Sequence, residues 1–332
     1  YTGGIVIKTS LLSLLLVLVT ISLSFPAQYY VYYNNGIPVY RTIKEIKPFF
    51  EYTKVSEVYW ERPVPEIVKI RDGELSVVLI HGIDPMEVNG SWTLYKEYFV
   101  NTWNSLLPKN CGLYIFIYPT LDVPLEETAK ILVDEIIKLN KKVNIYAHSM
   151  GGILLRYALQ NEEFREFVNK IIFAGTPHLG TPLANFVVLD KSVLKFHPKW
   201  DIIKTVILMA NTAWVFIDAP NYKYLTFGFE KPEIPENINF MNFAAKINAN
   251  TSSIVKNLIN TDFFSSIALQ ILESTIKIIY PKDPDFTQND GMVPLFSATY
   301  YGNEKVFEGF DHADLAISET IVKEAIKYFF GE

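Results

Sequence analysis

The rhythm of apolar and polar positions changes character along the chain. The first run, Leu11 to Phe25, is apolar all round, follows a single positive residue, Lys8, and leads into Tyr29, Tyr30, Tyr32 and Tyr33 with no charge before Arg41. The dense part is short for a full membrane span, but Thr9 to Tyr33 is long enough, and the tyrosines suit a membrane–water interface. Residues 1–33 are therefore expected to be a signal peptide, with Ser22 and Ser24 near a cleavage spacing, or an uncleaved signal anchor. Either one exports the remainder: anchored in a membrane with the globular part outside the cytoplasm, or secreted. Residues 34–75 follow as a polar, proline-containing connector.

From Ser76 the pattern becomes regular. "SVVLIHG" is a short β-branched run ended by glycine, the mark of a buried strand. A helix around Trp92 to Leu107 comes next, then a strand over Gly112–Thr120 ended by proline. Glu126 to Asn140 places Ala129, Leu132, Val133 and Ile136 on one helical face. "KVNIYAHS" predicts a strand, "MGGILLRYALQ" a helix and "VNKIIFAGTP" another strand. This β-α-β-α-β alternation with short connections predicts an α/β fold: a mostly parallel sheet with helices on both faces.

Beyond Thr181 the order loosens. Tyr222–Phe229 is expected to be a further sheet strand between two helical insertions, at about 183–221 and 230–285. Their apolar stripes are Ile203, Val206, Ile207, Ala210 and Phe264, Ile267, Ala268, Ile271. A strand near Lys305–Phe307 and a final helix over Asp314–Phe330 complete a domain running from 76 to 332.

Composition narrows the chemistry. A net charge of −6 with no basic stripe argues against a nucleic-acid partner. The one cysteine, Cys111, has no partner for a disulfide, a zinc site or a redox pair. No cofactor and no metal site is implied.

Ser149 stands where a strand ends and a helix begins, in "AHSMGG". A strand–turn–helix at that point lifts a serine hydroxyl clear of the sheet edge. The backbone is so tight there that the positions two away must be small, and they are Ala147 and Gly151. The helix N-terminus favours developing negative charge. In this arrangement the chain order is serine, acid, histidine. His312 is the histidine of the last third, in a loop between a strand and the final helix. Asp290, in the turn "NDG", is the candidate to orient it, with Asp283 and Asp285 as alternatives; Asp311 adjoins His312 and is badly placed to reach its ring. Oxyanion donors are expected from the backbone of Met150 and Ile83. Gly82 lets the backbone approach a substrate, and His81 and His178, at strand ends, are expected at the pocket rim; His148 should point away from the serine.

"HGI", "AHSMGG", "AGTPHLGTP", "NDGMVP" and "DHADL" occur in this order, and together they resemble an α/β-hydrolase of the bacterial lipase and esterase type. The resemblance covers roughly Ser76 to Phe330, less the insertions. It implies that Ser149, Asp290 and His312 form a catalytic triad with Ile83 and Met150 as the oxyanion hole. On that reading the two apolar stripes are either lid helices over an acyl pocket or ordinary helices packed onto the core. The stretch between Pro182 and Asp290 is longer than in minimal lipases. Some related lipases bind a structural calcium near the acid and histidine loops. Asp314 stands where one such ligand can, but no partners are identifiable, so no metal is expected. The function implied is hydrolysis of carboxylic esters, lipid-like ones at a membrane. The alternatives on the same fold are acyl transfer, thioester hydrolysis, phospholipid or other lipid-remodelling deacylation, and a non-catalytic binding protein. The sequence does not address oligomeric state.

Overall fold

A computed structural model describes residues 64–84, 98–121, 123–188, 217–218, 220–247, 274, 277 and 285–331, and the strand backbones at 28–34, 37–47 and 51–59. Three strands, β1 (Gln28–Asn34), β2 (Ile37–Lys47) and β3 (Glu51–Tyr59), form an antiparallel meander. β4 (Glu66–Arg71) and β5 (Leu75–Ile80) follow, then α1 (Val100–Leu106), β6 (Cys111–Ile117), α2 (Leu125–Lys138) and β7 (Val143–His148). Next come α3 (Met150–Ala158), α4 (Glu162–Glu166), β8 (Val168–Ala174) and α5 (Pro182–Val188). The chain continues with β9 (Ile217–Asp218), a 3-10 turn (Pro220–Leu225), β10 (Phe240–Lys246), α6 (Leu295–Ala298), β11 (Glu304–Glu308), α7 (Asp314–Ile317) and α8 (Glu319–Phe330).

The main sheet has seven strands in the order β11-β10-β8-β7-β5-β6-β4, all parallel except β4, which pairs antiparallel with β6. Alternate residues of the central strands feed two cores. Val78, Ile80, Ile145, Ala147, Ile171 and Phe173 pack with Leu132 and Ile136 of α2 and Ile153 and Leu154 of α3. Val77, Leu79, Tyr146, Ile172 and Ala174 pack on the other face with Trp103 of α1 and Ile321, Val322 and Ala325 of α8. Burial on both faces is why these strands read as continuous apolar runs. The order reverses around β5: β6 lies on one side and β7 on the other. Doubly wound sheets bind ligands outside the carboxyl ends of their strands at such a switch point.

Four expectations need correction. Tyr29–Tyr33 lie in β1, which pairs with β2 and β9, so a membrane segment does not extend through the tyrosines. Their aromatic and β-branched content suits a strand equally well. Leu11–Phe25 lies outside the described residues, and among the described residues no helix is long and apolar enough to cross a membrane. The connector is not irregular: it holds β2, β3 and β4, and β4 starts the main sheet before Ser76. As a partly exposed edge strand, β4 carries no apolar run to announce it.

Tyr222–Phe229 is not a strand. Pro220 begins a 3-10 turn and Gly228, at φ +85°, ends the segment. The strand next to β8 is instead β10, inside the expected second insertion. Its pattern is broken by a polar residue, Asn242, which is fully buried because its side chain is bonded at both ends, to His178 and to the Gly302 carbonyl. The final helix is interrupted at Ser318, whose ψ of 124° is extended. The helix expected from Trp92 is described from Val100. The stripes Ile203–Ala210 and Phe264–Ile271 lie outside the described residues.

Candidate active site

β7 delivers Ser149. All six of its residues are buried, and the last ladder bond runs from Ser149 N–H to the Ala174 carbonyl at the end of β8, 2.8 Å. At Ser149 the backbone takes φ 55°, ψ −125° and then enters α3. The other non-glycine residues with positive φ among the described residues are asparagines, which tolerate it best. Ser149 has no such tolerance, so surrounding packing holds it there, as at a nucleophile elbow.

The packing that holds it is visible at the glycines. A Cβ on Gly151 would lie 2.5 Å from the His81 carbonyl oxygen, so the first turn of α3 rests directly on the end of β5. A Cβ on Gly152 would lie 1.9 Å from Thr176 Oγ1. The first turn of α3 contains no acidic residue, so no side chain there offsets the partial positive charge of its N–H groups.

Asp290 and His312 meet, although each lies in a separate loop. Asp290 Oδ2 is 2.7 Å from His312 Nδ1, and the His312 N–H donates to the Asp290 carbonyl, 2.9 Å. The other carboxylate oxygen, Oδ1, accepts the N–H groups of Met292 and Val293 at 2.9 and 2.7 Å. Both residues are buried, and the carboxylate is held from both sides, so it fixes the ring and its tautomer. Gly175, at φ +60°, lets the ring lie against the end of β8; a Cβ there would come within 3.0 Å of His312 Cε1 and Nδ1. The imidazole thus sits at the C-terminal edge of the strand beside the one that ends at Ser149.

The alternative acids are otherwise engaged. The Asp285 carboxylate binds Thr287 and Gln288, bonds that pull it down to about 2, and it lies on the surface. Asp283 is outside the described residues. Asp311 Oδ1 accepts the N–H groups of Ala313 and Asp314, while Asp314 Oδ2 accepts the N–H of Asp311. Asp314 is therefore spent on a local turn, and burial raises its carboxyl above the ordinary range. Among the described residues no cluster of three or more His, Cys, Asp or Glu side chains is arranged to hold a metal ion.

His81 and His178 do not form a rim. His178 is buried inside the domain: its Nε2–H donates to Asn242 Oδ1 at 2.9 Å, and burial with Arg156 nearby pushes it down to about 3. The side chain turns inward because Asn242, the buried polar residue of β10, needs a partner. His81 is also fully buried, stacked on Tyr118 with ring centroids 4.5 Å apart and Nδ1 2.8 Å from the Gly82 carbonyl; burial takes it to about 4. His148 lies under His312: its Nε2–H donates to the His312 carbonyl at 2.9 Å, the rings are 4.8 Å apart, and burial holds it well below its usual range and hence neutral.

Gly82 and the half-buried Ile83 occupy the turn directly after β5, next to the start of α3. Sequence inspection missed Tyr118, Thr120 and Gly175, which shape this end of the sheet. "YPT" after β6 looked only like the end of a strand.

Comparisons with known proteins agree with this architecture. A model of the PGAP1-like alpha/beta domain matches residues 125–205. The propeptide form of a Bacillus licheniformis lipase superposes with a TM-score of 0.52 at 18% identity, over 79% of this chain and 53% of that one. A metagenomic carboxyl esterase superposes with a TM-score of 0.50 at 15% identity, over 81% of this chain and 77% of that one. The chain has the α/β-hydrolase fold. That is the fold the ordered motifs led one to expect. No curated protein matches it closely. In this hydrolase fold the elbow, the loop after β5 and the acid–histidine pair converge on one edge of the sheet.

Proposed function

We propose that the chain is a serine carboxylic-ester hydrolase of the lipase and esterase kind. The observation that carries this is the Asp290–His312 pair, joined at 2.7 Å and seated on Gly175 and His148 beside the strained Ser149. In the mechanism, His312 Nε2 takes the proton of Ser149 Oγ as it attacks the ester carbonyl. Asp290 holds Nδ1–H and stabilises the imidazolium. The N–H groups of Ile83 and Met150 receive the oxyanion. His312 then protonates the departing alcohol, and water, activated by the same ring, releases the acid from Ser149. The named lipase and carboxyl esterase of similar fold support an ester as the substrate class.

The finer reading places a lipid-like ester at a membrane. Leu11–Phe25 would hold the enzyme there, with the catalytic part outside the cytoplasm, and the apolar stripes of the two insertions would cover the acyl chain. The test is hydrolysis of p-nitrophenyl esters from about two to sixteen carbons, using the full chain with Ser149→Ala in parallel. The expected loss of kcat in the variant is roughly 10⁴-fold or more, with an optimum at long acyl chains. Full activity in Ser149→Ala would sink the serine mechanism. An optimum at two to four carbons, or failure of the full chain to float with lipid vesicles when a chain lacking residues 1–27 also fails, would sink the lipid reading. Transfer to added alcohols outrunning hydrolysis would favour the acyltransferase.

A further inference from the structure

The turn after β5 is held from outside by the segment that follows β6. Tyr118 Oη–H donates to the His81 carbonyl at 2.8 Å, and Thr120 Oγ1 accepts the Asp84 N–H at 3.0 Å. The two bonds bracket Gly82 and Ile83. The peptide between those residues carries the Ile83 N–H; its own carbonyl, that of Gly82, lies 2.8 Å from His81 Nδ1, and the two bonds from the β6 segment hold the residues on either side of it. The His81 carbonyl held by Tyr118 is also the atom against which Gly151 packs, so one peptide fixes the loop relative to the first turn of α3.

Thr120 is itself fixed. Asn221 Nδ2 donates to the carbonyls of Thr120 and Val123 at 3.0 and 2.7 Å, and its N–H donates to Leu121, 3.0 Å. Tyr118, Thr120 and Asn221 are all at most 1% exposed, so these bonds do not compete with bulk water.

We propose that Tyr118 and Thr120 are positioning residues of the oxyanion hole, setting the Ile83 N–H at a constant distance from the Met150 N–H. The proposal rests on the serine-hydrolase reading above. Its physical basis is that an oxyanion donor acts through preorganisation: a peptide free to swing must be reoriented in every turnover, and the cost appears in the transition state. Substrate binding in the ground state does not need that N–H aimed, so loss of the brace should fall on kcat and leave KM alone.

The experiment compares Thr120→Val, Thr120→Ser and Tyr118→Phe with the full-length parent. Each is measured for kcat and KM on the best p-nitrophenyl ester, for inhibition by a trifluoromethyl ketone that forms a tetrahedral adduct, and for thermal unfolding. Thr120→Val keeps the shape and loses the acceptor for Asp84. Its kcat is expected to fall about tenfold, a fraction of the loss on removing an oxyanion donor outright, with KM within about twofold. The ketone should bind more weakly by the same factor, and Thr120→Ser should restore both. Equal losses in the valine and serine variants, a loss confined to KM, or unchanged ketone affinity beside a reduced kcat would overturn the proposal. If Thr120→Val does not fold, Tyr118→Phe carries the same test at the His81 end. A fully active Ser149→Ala protein would remove the hydrolase reading itself, a result separable from any outcome at 118 or 120.

Discussion

Gly152 shows how little room a single residue leaves at the elbow. A methyl group there would penetrate Thr176, whose Oγ1, Cγ2 and Cβ lie 1.9, 2.6 and 2.8 Å from the ideal Cβ position. Thr176 belongs to the backbone turn after β8 and does not retreat freely, so α3 would have to lift from the sheet. Gly152→Ala is expected to cost about 1–3 kcal/mol, the usual range for overpacking a dense core. Thr176→Ala in the same chain should return part of that, because two of the three clashing atoms are gone. Denaturant midpoints of the two single variants and the double variant give the coupling. Strict additivity would mean that the contact is not the cause.

At the scale of elements, one buried cation ties helix to loop. Arg156, on α3 and 2% exposed, donates to the carbonyls of His178, Lys231 and Pro232 and to Tyr301 Oη, which in turn donates to Glu233. Lys231 beside it donates to the carbonyls of Leu179, Thr226 and Phe229, while burial and Arg156 lower its pKa to about 7. The two side chains hold the turn after β8 and the segment before β10 against the helix that begins at Ser149. A guanidinium fork reaches several carbonyls at once and an ammonium does not. Arg156→Lys should therefore lower stability by about 1–3 kcal/mol through orphaned buried acceptors, with kcat nearly unchanged. A stability loss below about 0.5 kcal/mol, small for a lost buried bond, would show that the fork is dispensable.

At the scale of the whole molecule, three of the described histidines, His81, His148 and His178, are buried with lowered pKa values. His81 and His178 are held near 4 and 3, and His148 well below its usual value, chiefly because burial penalises the charged ring. The unfolded chain takes up protons at these rings near 6.5, while the folded protein does not. Their contribution is therefore complete above about pH 6.5 and is lost as pH falls from there toward the folded values. Unfolding by urea at pH 7, 5.5 and 4.5 should show stability dropping with a slope of roughly 1.4 kcal/mol per pH unit for each such ring. His178→Gln keeps the N–H donated to Asn242 and removes the titration. It should reduce the slope by about one ring's share; an unchanged slope would place the titration elsewhere.

The loops of the candidate site were legible because each is a local event. A strand that ends in small-Ser-x-Gly and a turn of Asn-Asp-Gly announce themselves within a few residues. The central strands β5, β6, β7 and β8 were legible because burial on both faces makes them apolar throughout. β10 was not, because its buried Asn242 makes sense only once His178 and Gly302 stand beside it. β4 was not, because an edge strand has only one neighbour to satisfy.

By itself the sequence determined the alternation of strand and helix, the turn at Ser149 and the choice of His312 and Asp290 as candidates. Those properties follow from periodicity and from side chains acting on their own backbone. Tertiary structure alone decided that Asp290, rather than Asp285 or Asp311, meets the His312 ring. It also decided that His81, His148 and His178 lie inside the protein, and that Tyr118 and Thr120 reach the turn after β5. Each of these depends on which loops the sheet order makes neighbours, and hydrogen bonds between residues distant in the chain leave no periodic trace in it.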